Sequence, residues 1–226
     1  MKKLFYFALP IMAFFFLTSC FALMDRSADL LGRTAELMDR AAGIDPSQNT
    51  DEGVVINGVR WATRNTYRQG LFTLNIEDPG SFYQWNRGRA WAAEPDTIRG
   101  GWDSSATVPR DGQWEINPCP RGWRLPTRAE FQSLLSAGSV WTTQNGVYGR
   151  LFGSAPNQIF LPAVGIRLGD RNVNNRGDSR AIARGYNGFY WSSDIGGALI
   201  FSQFYKKLEN LGDDSAFSMR CVAITP

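Results

Sequence analysis

The side chains best suited to chemistry are gathered between Leu168 and Asn187. There Asp170, Asn172, Asn174 and Asp178 alternate with Arg171, Arg176 and Arg180, and the stretch closes on Tyr186. Carboxylate and amide oxygens at every second position are what a calcium ion takes. The run Asp170, Asn172, Asn174 matches the opening of an EF-hand loop, but Asn175 stands where that loop needs Gly and Ala181 where it needs a bidentate Glu, so an EF-hand is rejected. A looser calcium site on Asp170, Asn172, Asn174 and Asp178, joined by Asp194, is one expectation, and a solvated loop without metal is the other. Arg171 and Arg176 offer paired donors to carboxylates or sugar oxygens, Tyr186 a ring face and a hydroxyl, and Asp178 an acceptor. These four are the expected ligand-binding residues, with the aromatics between Tyr83 and Trp102 as the alternative surface. Arg176-Gly177-Asp178-Ser179 also spells an integrin-recognition tetrapeptide, which chance explains in a chain rich in Arg and Gly.

The sequence contains no histidine, which excludes a Ser-His-Asp triad, a Cys-His pair and any His-liganded zinc or copper site. Of its 3 cysteines, Cys20 closes the N-terminal apolar segment, leaving Cys119 and Cys221 as an even pair. A disulfide between them is expected, the alternative being two inert buried thiols. Closing a loop of about 100 residues stabilises by roughly 4 to 5 kcal/mol in the chain-entropy model.

These residues need elements to position them. Lys2 and Lys3 precede an apolar run from Leu4 to Leu17 and the small residues Thr18 and Ser19, the pattern of a signal peptide over 1–19. The run is shorter than the roughly 20 residues that span a bilayer. Leu17-Thr18-Ser19-Cys20 reads as a lipobox, so acylated Cys20 is expected to hold the chain to membrane lipid. Phe21 after it points to the outer membrane, on a periplasmic or cell-surface face that the sequence leaves open.

Residues 20–43 repeat in sevens: Leu23-Met24-Asp25-Arg26, Leu30-Leu31-Gly32-Arg33, Leu37-Met38-Asp39-Arg40. Met24, Ala28, Leu31, Ala35, Met38 and Ala42 line one helical stripe. Self-association through residues 23–42 and packing of the stripe on the bilayer or on the body are equal expectations. Residues 44–53 read as a linker, and 54–226 as the globular body. In the body, Asn57-Gly58 joins Val54-Val55-Ile56 to Val59-Arg60-Trp61-Ala62 as a hairpin. Thr127 with Glu130 forms a capping box before Phe131, Leu134 and Leu135. Short strands are expected over 158–161, 188–192, 198–204 and 217–223.

With 8 Trp, 7 Tyr, 15 Phe and 23 Gly, the composition suits an aromatic, glycine-rich β or α+β domain. Net charge is +3, and the two signal lysines account for most of it. Bulk capture of nucleic acid is therefore not expected. Lys206 and Lys207 are the only lysines beyond the signal, so the body's cations are otherwise Arg, suited to aromatic stacking.

Asn117-Pro118-Cys119-Pro120-Arg121-Gly122-Trp123-Arg124-Leu125-Pro126-Thr127, continuing into Glu130, Phe131 and Leu134, resembles the Fibrobacter succinogenes major paralogous domain. Val59-Arg60-Trp61-Ala62-Thr63-Arg64-Asn65, Tyr83-Gln84-Trp85, Phe160-Leu161-Pro162-Ala163, Gly188-Phe189-Tyr190-Trp191-Ser192-Ser193 and Phe217-Ser218-Met219-Arg220-Cys221-Val222 fit the same pattern in order, over roughly residues 54 to 224. The resemblance implies an α+β, C-type-lectin-like fold with short antiparallel strands, at least one well-defined helix and long loops, on Bacteroidetes-type lipoproteins. It places the 168–187 stretch where such folds carry their long variable loop. The calcium-lectin triplets are missing: Trp191-Ser192-Ser193-Asp194 lacks the Asn after Trp, and Ala155-Pro156-Asn157 only imitates the other, so calcium-dependent sugar binding is not carried over. Within the blocks, Trp123 and Trp191 are expected in the core, and Arg124 and Arg220 on buried carbonyls or carboxylates such as Glu130 or Asp194.

The function expected is a non-catalytic envelope lipoprotein binding glycan or a surface protein. The alternative is an accessory subunit of a surface assembly such as a fimbria, carried by the heptads. A formylglycine-generating type of enzyme is remote, because its thiol chemistry would have no spare sulfur.

Overall fold

The computed structural model describes residues 49–105, 114–169, 178–211 and 215–224. The expected signal segment, Cys20, the heptads over 23–42 and the helix expected there lie outside them. Among the described residues no helix is long and apolar enough to cross a membrane.

Local chemistry sets the first elements. Asn57 and Gly58 both adopt positive φ, 49° and 81°, the conformation that lets a two-residue turn follow the strand twist. They join β1 (Val54–Ile56) to β2 (Val59–Trp61). That sheet continues through β17 (Val222–Ala223) to β7 (Trp123–Arg124). β3 (Thr66–Arg68) and β4 (Leu71–Phe72) form a small hairpin. A five-stranded sheet gathers β5 (Tyr83–Gln84), β16 (Ser215–Phe217), β11 (Ile166–Gly169), β12 (Ser179–Ile182) and β6 (Thr97–Ile98) in that order. Two three-stranded sheets complete the body: β8 (Ser139–Gln144), β9 (Val147–Ser154) and β10 (Asn157–Pro162), and β13 (Asn187–Trp191), β14 (Gly197–Ser202) and β15 (Lys206–Asn210). Every named strand pair is antiparallel.

The described fold is thus mostly β, several small antiparallel sheets with one short helix, α1 (Arg128–Ser136). This corrects the expected α+β, C-type-lectin-like class. The capping box forms as read, with the Thr127 hydroxyl accepting from Glu130 N and the Glu130 carboxylate from Thr127 N. The helix it starts runs only 9 residues, while glycines and Asn-Gly turns cut the remainder into short strands.

The body begins at Asn49, inside the expected linker. Asn49 acts as a strand substitute for Phe72, its Nδ2 donating to the Phe72 carbonyl at 2.9 Å and its Oδ1 accepting from Phe72 N at 2.6 Å. The buried Asp51 carboxylate accepts from Gly53 N, Thr63 N and Thr63 Oγ1 at 2.9 to 3.0 Å. Polar side chains here do what apolar periodicity does elsewhere, which is why the segment reads as a linker.

Two aromatic clusters fill the interior. One packs Trp61, Phe131, Phe152, Tyr190, Leu199 and Phe201. The other surrounds Trp191, whose ring meets Phe217 at 4.0 Å and Trp85 at 5.2 Å and whose indole N–H donates to the Tyr83 carbonyl at 2.7 Å. Cys119 and Cys221 form the disulfide at its edge, with sulfurs 2.08 Å apart. Arg220 is fully buried, and its hydrogen bonds among the described residues go to an amide oxygen and carbonyls. It donates to Asn65 Oδ1 at 2.7 and 2.9 Å and to the carbonyls of Ala62 and Phe160 at 3.0 and 3.1 Å. Burial pushes its guanidinium down to about 10, against the opposing pull of Tyr190 and Asp51.

Candidate binding site

A concave surface is built on the β8–β9 hairpin. Its turn is Asn145-Gly146, with φ of 46° and 81°. The register sets Thr143 against Tyr148 and Trp141 against Arg150. Trp141 and Tyr148 are therefore diagonal neighbours on one face, where large rings on adjacent strands reach each other. Their centroids lie 6.2 Å apart with planes 13° from parallel.

The facing wall comes from the β13–β14–β15 sheet, where Asn187 pairs with Ser202. Beyond Ser202 the chain turns tightly: Ser202 N donates to the Tyr205 carbonyl at 2.9 Å and Phe204 N to Ser202 Oγ at 3.1 Å. This turn holds Phe204 in solvent, 88% exposed, and Tyr205 beside it. Tyr186, 74% exposed, precedes β13 on a turn closed by Asn187 N donating to the Ala183 carbonyl at 3.0 Å. Asn187 Nδ2 donates to the Tyr205 hydroxyl at 3.0 Å, fixing that ring.

Arg150 joins the two walls. Nε donates to the Ser202 carbonyl at 2.9 Å, Nη2 to the Gln203 carbonyl at 3.0 Å and Nη1 to Ser139 Oγ at 3.0 Å. Burial holds the guanidinium below its ordinary pKa, yet every nitrogen has an acceptor. The result is a cleft of ≈ 790 Å³ lined by Trp141, Tyr148, Arg184, Gly185, Tyr186, Asn187, Ser202, Gln203, Phe204 and Tyr205. A neighbouring hollow of ≈ 380 Å³ shares Tyr148, Arg184 and Gly185. Arg184 pairs with Glu94 at 2.6 Å and lies 3.7 Å from Asp96.

Of the expected ligand-binding residues, Tyr186 lies in this cleft. Asp178 does not: it is buried, and its Oδ1 accepts from Gly100 N at 2.7 Å. Arg171, Arg176 and the expected calcium ligands Asp170, Asn172 and Asn174 lie outside the described residues. Asp194 accepts from Arg128 N at the start of α1, and among the described residues no group of three or more acidic or Cys side chains gathers as for a metal. The segment expected as one long loop is partly a β11–β12 ladder, pairing Gly169 with Ser179. Ser179, like Asp178, is buried there, and the first two residues of the tetrapeptide, Arg176 and Gly177, lie outside the described residues. The alternative surface between Tyr83 and Trp102 is core: Tyr83, Trp85, Trp91 and Trp102 are all buried.

Sequence reading missed Trp141, Tyr148 and Tyr205 and placed Phe204 at a strand end. The available signals were Asn145-Gly146 between β-prone residues, a second instance of the turn that marks β1–β2, and two adjacent aromatics followed by Lys206-Lys207. No protein-family model, no curated protein and no solved structure matches this chain.

Proposed function

We propose that this chain is a non-catalytic binding module of the cell envelope, anchored through acylated Cys20 and engaging its ligand in the cleft between the β8–β9 hairpin and the Ser202–Tyr205 turn. One observation carries the reading: Tyr148, Tyr186, Phe204 and Tyr205 are exposed together on a frame that does not need them for its core. A shared apolar patch of this kind marks an interaction surface, whereas single exposed rings do not. Two features favour binding over catalysis. The sequence lacks histidine, and the two cysteines of the body are joined to each other, which leaves thiol chemistry no sulfur to use. The accessory-subunit alternative rests on heptads outside the described residues.

The test is photocrosslinking on intact cells, with p-benzoylphenylalanine at position 204 or, as a control outside the cleft, at exposed position 224. An adduct from 204 alone is the expected result. Equal adducts, or adducts only from 224, would move the site elsewhere.

A further inference from the structure

We infer that the cleft takes a neutral carbohydrate chain, with sugar rings lying on Tyr186, Phe204 and Tyr148; this rests on the reading of the cleft as the binding site. A sugar has faces of C–H groups and a rim of hydroxyls, so a surface built for it alternates aromatic rings with uncharged hydrogen-bonding groups. The cleft has this composition. Beside the rings stand Gln203 and Asn187, and the Gln203 amide, Asn187 Oδ1 and the hydroxyls of Tyr148 and Tyr186 have no partner among the described residues. A purely apolar ligand would strip water from these groups and give nothing back.

Charge narrows the class further. Among the described residues lining the cleft, Arg184 alone is charged, and its guanidinium is paired with Glu94 at 2.6 Å while Asp96 stands at 3.7 Å. An acidic sugar would have to compete with two carboxylates for that cation, whereas a neutral one need not. Extent points to a chain instead of a single unit: the ≈ 790 Å³ cleft adjoins the ≈ 380 Å³ hollow across Tyr148, Arg184 and Gly185. The Arg150 tie keeps both walls in place before the ligand arrives. Preorganisation favours a ligand whose individual contacts are weak.

The experiment is affinity electrophoresis of the full chain in mild detergent, through native gels containing xylan, mannan, mixed-linkage β-glucan or dextran, with heparin and polygalacturonate as polyanions. Retardation by at least one neutral polymer is expected, falling at least tenfold in Tyr186→Ala/Phe204→Ala. That double variant should keep its thermal midpoint, because both rings are solvent-exposed. Retardation by the polyanions alone, lost in the double variant, would overturn neutral-sugar binding and leave the cleft as the site. Retardation by a neutral polymer that the double variant does not change would overturn the cleft itself. No retardation by any polymer would overturn the carbohydrate inference, and a protein adduct from position 204 in the crosslinking experiment would then keep the cleft as a protein-binding site.

Discussion

Arg150 Nε donates to the Ser202 carbonyl at 2.9 Å across 52 residues of chain, so the two walls of the cleft are fastened by one buried guanidinium. Replacing it with Met keeps much of its volume but leaves the Ser202 and Gln203 carbonyls without that donor. Ser202 is buried and its unsatisfied carbonyl costs about 1 to 3 kcal/mol, while water can reach the exposed Gln203, so Arg150→Met should destabilise by roughly 1 to 3 kcal/mol and lower the thermal midpoint by about 2 to 12 °C. Crosslinking from position 204 should fall with it at temperatures where the variant is still folded. A variant that loses stability but crosslinks normally would show that Arg150 does not position the cleft.

Gly188 lies directly opposite Phe201 in the β13–β14 ladder, and the ring of Phe201 crosses the space a side chain would need. A Cβ at 188 would stand 2.1 Å from Phe201 Cζ. Phe201 is fully buried and stacked on Tyr190, with centroids 5.9 Å apart and planes 13° from parallel, so it has little room to move. Gly188→Ala should cost about 1 to 3 kcal/mol. Phe201→Leu should recover part of that loss in a double-mutant cycle. Additive losses, measured by urea denaturation, would mean that the two positions do not meet.

Cys119 and Cys221 are 102 residues apart in sequence, so their bond restricts most of the unfolded body. The chain-entropy model gives about 4 to 5 kcal/mol for such a loop. Reduction, or Cys119→Ala with Cys221→Ala, should shift the urea midpoint sharply downward. A loss under about 1 kcal/mol would mean that the unfolded chain gains little freedom when the bond opens.

What was legible in the sequence was local. Asn57-Gly58 specifies its turn because both residues tolerate positive φ, and Thr127 with Glu130 specifies a helix start through two reciprocal hydrogen bonds. Trp191 and Arg220 were readable as interior for their size and setting. The pairing of β5, β16, β11, β12 and β6 was not, since it joins segments that share no local pattern. Asp178 shows the difficulty at the scale of one residue. Its neighbours are loop-like, but its partner is Gly100 N, 78 residues away, so a structural acceptor looks like a ligand. The cleft was hidden for the converse reason: Trp141 and Tyr148 meet only through the hairpin register, and Phe204 through a turn that the strand pattern of its neighbours conceals.

The anchor can be tested separately from the body. If Cys20 carries the lipid, Cys20→Ala should release the chain from the membrane fraction or leave its precursor uncleaved. Unchanged processing and fractionation would count against lipidation at this position, whatever the cleft binds.

The last prediction concerns acid stability at the start of α1. Glu130 accepts from Arg124 through both oxygens, at 2.7 and 2.8 Å, and from Thr127 N at 2.7 Å. Burial alone would raise the Glu130 pKa, but the Arg124 and Thr127 hydrogen bonds favour the carboxylate and the net result is a lowered value. The same pairing holds the Arg124 guanidinium above its ordinary pKa. Because the folded pKa lies below the unfolded value near 4.5, the charged carboxylate's contribution is fully present above that pH. It is lost as pH falls through the lower folded value. Glu130→Gln keeps a similar shape and one acceptor oxygen but cannot form the charged fork. It should be less stable than wild type by about 1 to 2 kcal/mol at pH 7, toward the low end because water still reaches Arg124. Urea midpoints measured from pH 7 to pH 3 should show a constant gap down to about pH 5 and a closing gap below about 4.5. If the gap stayed constant to pH 3, the Glu130 carboxylate would not be held in its charged form by Arg124 and Thr127, and the capping box would stabilise by its neutral hydrogen bonds alone.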